Sequence, residues 1–454
     1  MAETKASSFP RQKHPWYTHP DPYLSMWQSA AAVVHRANVR TGMLGIKESA
    51  LNTVDLMAPV HAVATAIRNR GERPVEEIEG VEGINLESMG VVKDCAKLAA
   101  QFLWAEMKRD HDRSQRLADE LKKSVCDVGG WSTCLTTYLA FKTSGGDLPY
   151  RDHLNPIFAL PASPRIAIIG DWGVGDRAAA NLLREVKKQS PNVLIHLGDV
   201  YYSGTHDEAA HNFLDISRLV LGPTLPVYSL CGNHDMYSGG NGYYWLLDQL
   251  GQQASYFTLK NEQWQIIAMD TGHNDCNPLT VATNMTSVNA NEVNWIKSQI
   301  TKSSAPRTML LSHHQLFSPF GSVGVLGGVK YAYNPYLYDS FKEIVDRVEW
   351  WFWGHEHTLA VYQPYMGLRR GRCVGASAVP VFSDQQSYSP ATDLRTPDGK
   401  LPDWDRKAQL TANSDGVYDH TFAILDLGDE PASVEYFRVP VDGSAVSLLK
   451  ETTV

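Results

Sequence analysis

The residues with the most chemistry to offer in this 454-residue chain stand in five short polar clusters. In order they are GDWG, with Asp171; GDVYY, with Asp199 and Tyr202; GNHD, with Asn233, His234 and Asp235; SHHQ, with His313 and His314; and GHEH, with His355 and His357. Carboxylates, imidazoles, an amide and a phenol are hard or borderline electron-pair donors. As a set they suit iron, zinc or manganese rather than a soft thiolate site. Each cluster alone also has a plain reading: Gly-Asp after a strand caps a turn or a helix, and paired histidines sit on a surface or in a core. Turns and caps do not readily account for five such clusters in succession.

The elements that must position them are the apolar runs RIAIIG, NVLIHLG, PVYSLCG, WQIIAMD, RTMLLSH and EWWFWGH, each ending in glycine or a polar residue. Between several of these runs lie helical patterns, DRAAANLLREVKKQ, NEVNWIKSQI and YLYDSFKEIVDRV. Buried strands alternating with helices predict a layered α/β sheet. Ligand groups in such sheets gather at the carboxyl ends of the strands, which is where all five clusters fall. HTFAILDLG and SVEYFRVPV predict antiparallel strands near the C-terminus.

Before about residue 145 the texture is helical, with Val92, Cys95, Leu98, Ala99, Phe102, Leu103 and Met107 at three- and four-residue steps. The stretch 144–164, rich in Gly and Pro, reads as a boundary linker. Two domains are therefore expected: a mainly helical one over 1–160 and an α/β one over 161–454. The net charge of -9 argues against general nucleic-acid binding and against a membrane surface. Six cysteines without a CxxC read as reduced thiols. No apolar leader opens the chain, and no run approaches the ~18 apolar residues of a membrane span, so a cytoplasmic location is expected. Trp350, Trp351 and Trp353 read as core; LRRGR (368–372) reads as a solvated hairpin or a phosphate contact. The Gly-rich 318–336 reads as a loop or a cleft rim, and His206 and His273 as surface residues.

The ordered set GDWG, GDVYY, GNHD, SHHQ and GHEH resembles the calcineurin-like metallophosphoesterase family. Gly173 and Tyr202 bring it nearest to the purple acid phosphatase branch. The resemblance spans roughly residues 164–380 and does not reach the helical region. It implies a four-layer αββα sandwich with a dinuclear metal centre. Asp171, Tyr202 and His357 would hold the first metal; Asn233, His313 and His355 would hold the second; Asp199 would bridge. His313 is preferred to His314 because it directly follows the apolar run and one small residue, which leaves His314 beside the site or at the substrate rim. Many members carry Asp-x-His where this chain has Asp171-Trp172-Gly173, and Tyr202 is the replacement ligand. A phenolate there favours Fe(III), with Fe(II), Zn or Mn at the second position. The plain alternative for Tyr202 is an aromatic packed beside Tyr201.

The implied activity is hydrolysis of a phosphate ester by a metal-activated hydroxide. His234 would protonate the leaving group, and Asp235 would orient His234 or a nearby backbone amide, or cap its own turn. A phosphomonoesterase is expected, with a phosphodiesterase as the alternative and a non-catalytic scaffold as the third reading. The helical N-terminal region would recognise a substrate or partner.

Overall fold

The computed structural model of the chain describes residues 148–453 together with Arg113 and Arg116, apart from 176, 202, 277–282, 380, 382, 384–386, 415, 429–430 and 441–442. The helical pattern read before residue 145 thus lies, but for those two arginines, outside the described residues. The first strands are β1 (Ile157–Ala159), β2 (Arg165–Ile169), β3 (Val193–His196), β4 (Val227–Ser229), β5 (Phe257–Lys260), β6 (Trp264–Ala268) and β7 (Arg307–Leu311). There follow β8 (Gly324–Leu326), β9 (Val329–Tyr331), β10 (Val348–Trp353), β11 (Leu359–Val361), β12 (Gly371–Val374), β13 (His420–Asp426), β14 (Ser433–Val439) and β15 (Val446–Thr452). The main helices are α1 (Arg177–Lys188), α2 (Asp215–Leu221), α3 (Asn241–Leu250), α4 (Ala290–Lys302) and α5 (Pro335–Phe341).

Among the described residues the strands form a seven-stranded sheet in the order β1-β5-β6-β7-β10-β12-β11 and a six-stranded sheet in the order β15-β14-β13-β2-β3-β4. The central strands β6, β7, β10 and β12 run parallel, as do β2, β3 and β4. Alternation along each strand divides the core. Ile166 and Ile168 of β2 face Trp350 and Phe352 of β10 between the sheets. Ala167 and Ile169 point the other way, onto Leu182, Leu183 and Val186 of α1. Trp351 and Trp353 turn outward onto Ile296 and Ile300 of α4 and Leu337 and Phe341 of α5. The order is helix, sheet, sheet, helix: the αββα sandwich. All three tryptophans of β10 are fully buried. Each side chain of this size contributes roughly 1.5–3 kcal/mol on burial.

Helix α1 forms because its apolar residues recur at three and four steps, and Lys187 and Lys188 in its last turn suit the negative end of the helix dipole. Helix α5 is capped by Asn334, whose Oδ1 accepts the Leu337 N–H at 3.0 Å. It stops at Phe341, sooner than its sequence pattern suggests. Ile344 and Val345 are drawn into the core, and the chain tightens into a single 3-10 turn over Val345–Arg347.

Two readings of the sequence change. The stretch read as a linker contains β1, which pairs in parallel with β5 and edges the seven-stranded sheet. LRRGR does lie in the β11–β12 hairpin with Arg369 exposed, but its other two arginines are held in ion pairs. Arg372 is buried and donates to Glu451 Oε1 (2.7 Å) and Oε2 (2.5 Å), while Arg370 pairs with Glu349. Trp350 Nε1 and Tyr436 OH also donate to Glu451 Oε1, at 3.1 and 2.6 Å. One carboxylate on β15 thus ties the two sheets together. Part of the Gly-rich 318–336 forms the β8–β9 hairpin. No helix among the described residues is long and apolar enough to cross a membrane.

Candidate metal centre

The five clusters meet at one edge of the sandwich, each just past the carboxyl end of a parallel strand. Asp171 follows β2, Asp199 follows β3 and the Asn233 loop follows β4, all from one sheet; His313 follows β7, and His355 and His357 follow β10, from the other. Eight described non-glycine residues have left-handed backbone, and four are Asp171 (φ 56), Asp199 (φ 74), His355 (φ 62) and His357 (φ 35). Such conformations cost of order 1–3 kcal/mol each and persist where the surroundings over-determine them, which is characteristic of functional sites.

One group is anionic. The ligand atoms of Asp171, Asp199 and His357 lie within 4.8 Å of one another. The phenol that joins them is Tyr201's: its OH lies 2.8 Å from Asp171 Oδ1, 3.1 Å from Asp199 Oδ2 and 3.1 Å from His357 Nε2. Tyr202 lies outside the described residues. Asp171 Oδ2 accepts the His355 N–H at 2.8 Å. Burial and the two carboxylates push the Tyr201 phenol well up. Burial alone would lower His357, but Asp171 and Asp199 hold its imidazole above the ordinary value.

The other group is neutral. Asn233 Oδ1 lies 3.0 Å from His313 Nε2 and 2.9 Å from His355 Nδ1, and the two imidazole nitrogens are 3.3 Å apart. His313 Nδ1 meets the Leu197 carbonyl at 2.9 Å. A carbonyl only accepts, so Nδ1 carries the proton and Nε2 keeps its lone pair. Burial lowers His313 and, further, His355, which keeps both rings neutral. Tyr237 OH takes the Asn233 Nδ2–H at 2.6 Å and so turns Oδ1 toward the imidazoles. Asp199 Oδ2 stands between the groups, 3.1 Å from Tyr201 OH and 3.5 Å from His313 Nε2.

These residues fit a pair of cations. In the anionic group two buried carboxylates converge on one phenol, with Asp171 Oδ1, Asp199 Oδ2 and His357 Nε2 all within 3.1 Å of the Tyr201 OH. In the neutral group the His313 lone pair, Asn233 Oδ1 and His355 Nδ1 converge within 3.3 Å of one another, with Asp199 Oδ2 3.5 Å from His313 Nε2. Buried electron pairs aimed at one another are unfavourable unless positive charge lies among them.

Three residues near the cage have other duties. His234 is buried, with its backbone N–H on Asp199 Oδ1 (2.9 Å) and its ring between those of Tyr201 and Tyr237, at 4.6 and 4.7 Å. Asp235 turns away from the His234 ring and accepts the N–H groups of Gly232 (2.8 Å), Asp199 (3.0 Å) and Val200 (3.0 Å). His314 has both nitrogens engaged, Nδ1 with Thr271 Oγ1 and Nε2 with Asp275 Oδ2, each at 3.0 Å. Its ring backs His355 at 4.4 Å, which places it behind the cage. Asp235 is thus engaged by backbone amides, while His314, though engaged at both nitrogens, offers a ligand atom within 4.8 Å of those of His313 and His355.

The sequence profile of the calcineurin-like phosphoesterase family matches residues 164–359, which hold every one of these residues. Residues 164–359 form a calcineurin-like phosphoesterase domain. Solved structures similar to the chain include a purple acid phosphatase from yellow lupin seeds, at 13% identity over 64% of this chain and 54% of that one, TM-score 0.42. A dimetal phosphatase from Danio rerio shares 13% over 63% of this chain and 99% of its own, TM-score 0.39. The anchor of the Plasmodium inner membrane complex shares 15% over 64% and 88%, TM-score 0.40. The chain thus spans about half the length of the lupin protein. No curated protein matches it in sequence.

Sequence reasoning missed four supports of this phosphoesterase domain: Tyr201, Tyr237, Thr271 and Asp275. The last two follow WQIIAMD, a strand-end run that was read for its strand and not for its loop. Tyr201 was in view as a packing neighbour of Tyr202, and spacing alone does not place its hydroxyl among the carboxylates.

Proposed function

We propose that the phosphoesterase domain hydrolyses phosphate monoesters with two cations, one held by Asp171, Tyr201 and His357, the other by Asn233, His313 and His355, with Asp199 shared. The observation that carries this reading is Asp199 Oδ2 lying within 3.5 Å of both a phenol of the anionic group and an imidazole of the neutral one. Cations bound there would supply the Lewis acidity that makes water a nucleophile near neutral pH and would offset the charge of the phosphate. The protein's part is positioning and proton handling, which is most of what phosphoryl transfer asks of it.

The Asn233 amide is an uncharged donor, so the neutral group leaves room for the negative charge of a monoester. Leu197 fixes the His313 tautomer, and Tyr237 fixes the Asn233 amide. The His234 ring is held at the mouth of the cage by its backbone bond to Asp199. It gives its proton to the departing ester oxygen, a contribution typically worth ~10²–10⁴-fold. Tyr201, the phenol in contact with both carboxylates, is the ligand that would favour Fe(III) at the anionic position, with Fe(II), Zn or Mn at the neutral one.

Two assays test this on the full chain. Nitrophenyl phosphate should be hydrolysed faster than its bis ester, and a faster bis ester would assign the site to diesters. A visible tyrosinate-to-iron band, lost in Tyr201→Phe, would support the iron assignment; a colourless, active, iron-free enzyme would refute it.

A further inference from the structure

We propose that Asp235 is the positioning residue that holds Asp199 between the two ligand groups, so that one buried side chain governs occupancy of both. The inference rests on the two-cation reading above.

Asp235 touches none of the converging ligand atoms. Its carboxylate is fully buried, and the three amides it gathers come from two loops. Gly232 belongs to its own turn, but Asp199 and Val200 lie 36 and 35 residues upstream, at the end of β3. A cap on a single turn needs only the first of these.

The loops are fastened along their length. His234 N–H returns a bond to Asp199 Oδ1, and Ser238 N–H donates to the Ser203 carbonyl at 3.2 Å. The fit is too close for side chains at two points: a Cβ on Gly232 would run into Asp199, and one on Gly204 would meet the Asp235 backbone at 2.5 Å. Asp199 itself sits at φ 74, a left-handed conformation that aspartate enters more readily than most residues but still at a cost. Asp235 supplies a restraint by fixing the N–H of Asp199 and the next one along. Released, Asp199 would relax toward ordinary backbone and carry its Oδ2 away from both Tyr201 and His313. An outer carboxylate that orients ligands typically accounts for 10–100-fold in metal affinity. Because Asp199 is shared, the loss should appear at both positions together.

The test is zinc titration into the metal-stripped full chain, followed by calorimetry, for the wild type, Asp235→Asn and Asp235→Glu. The asparagine offers one acceptor oxygen where two were used, so at least one of the three bonds fails. Wild type should take up two zinc ions. Asp235→Asn should bind both about 10–100-fold more weakly, in step, with hydrolysis restored by excess zinc. Should the asparagine variant not fold, Asp235→Glu keeps the charge, displaces the oxygens by one methylene and should show the same paired loss. Two ions at wild-type affinity in a folded variant, a loss at one position only, or activity that excess zinc does not restore would each overturn the proposal. A wild type that binds fewer than two zinc ions would instead overturn the two-cation reading, and this inference with it.

Discussion

The two halves of the metal centre are built from opposite materials. Asp171, Asp199, Tyr201 and His357 bring two carboxylates and a phenol; Asn233, His313 and His355 bring no formal charge. Both halves are set at strand ends of the same sandwich and share Asp199. Their difference lies in charge rather than in scaffold. The anionic half suits a hard, highly charged ion. An ion in the neutral half would keep its charge uncancelled and available to a phosphate. The halves are also supported differently. Left-handed backbone occurs in both, at Asp171 and His357 in the anionic one and at His355 in the neutral one, and the neutral one leans further on hydrogen bonds to Leu197 and Tyr237.

The shared residue should erase the distinction between halves. Asp199→Asn should empty both positions and lower hydrolysis by about 10³-fold or more, since several kcal/mol of charge stabilisation goes with the ions. Elemental analysis beside initial rates would check this, and two retained ions would contradict it. His234→Ala should leave both halves filled and still cost ~10²-fold or more on alkyl esters, with a smaller loss on nitrophenyl esters, whose leaving group needs no acid. Equal losses on the two ester types would exclude the acid role. Tyr237→Phe removes one hydroxyl and should weaken only the neutral half, by roughly tenfold, while the first ion binds as before. Zinc titration would resolve the two steps, and a loss shared by both would blur the comparison.

The last prediction concerns the scaffold under the anionic half. His196 on β3 is fully buried, and burial pushes its imidazole down to about 3. In the unfolded chain it titrates near 6.5. Between those values the unfolded chain binds a proton that the folded chain refuses, so this residue lowers stability as pH falls from 6.5 and has no effect above it. The slope should reach about 1.4 kcal/mol per pH unit and should shrink in His196→Gln. Urea unfolding of the metal-free protein from pH 7 to pH 4 would measure it, and an unchanged slope in the variant would refute the assignment.

Most of the frame was legible because long apolar runs leave little choice of element. β2, β3, β4, β6 and β7 fall within the runs read as strands, β10 begins one residue before its run, and the candidate ligands stand in the clusters at their ends. Short edge strands were not legible. β1 has three residues inside a Gly/Pro-rich stretch; β12 is made by pairing with β10, and the edge strand β11 by pairing with β12, not by their own composition. The Glu451 network was hidden because its partners lie far apart in sequence: Arg372 is 79 positions away. That the Tyr201 hydroxyl meets Asp171 and Asp199 depends on a backbone turn that residue types do not encode. Asp235 could be read as a partner of a nearby amide, but not as reaching Asp199 and Val200, which lie on another loop.

The most direct test of the account is the metal requirement of the wild-type chain. Purified protein should hold two ions per chain, lose hydrolysis of nitrophenyl phosphate when a chelator strips them, and regain it when they are returned. Full activity in protein shown by elemental analysis to be free of metal would contradict the account at its centre.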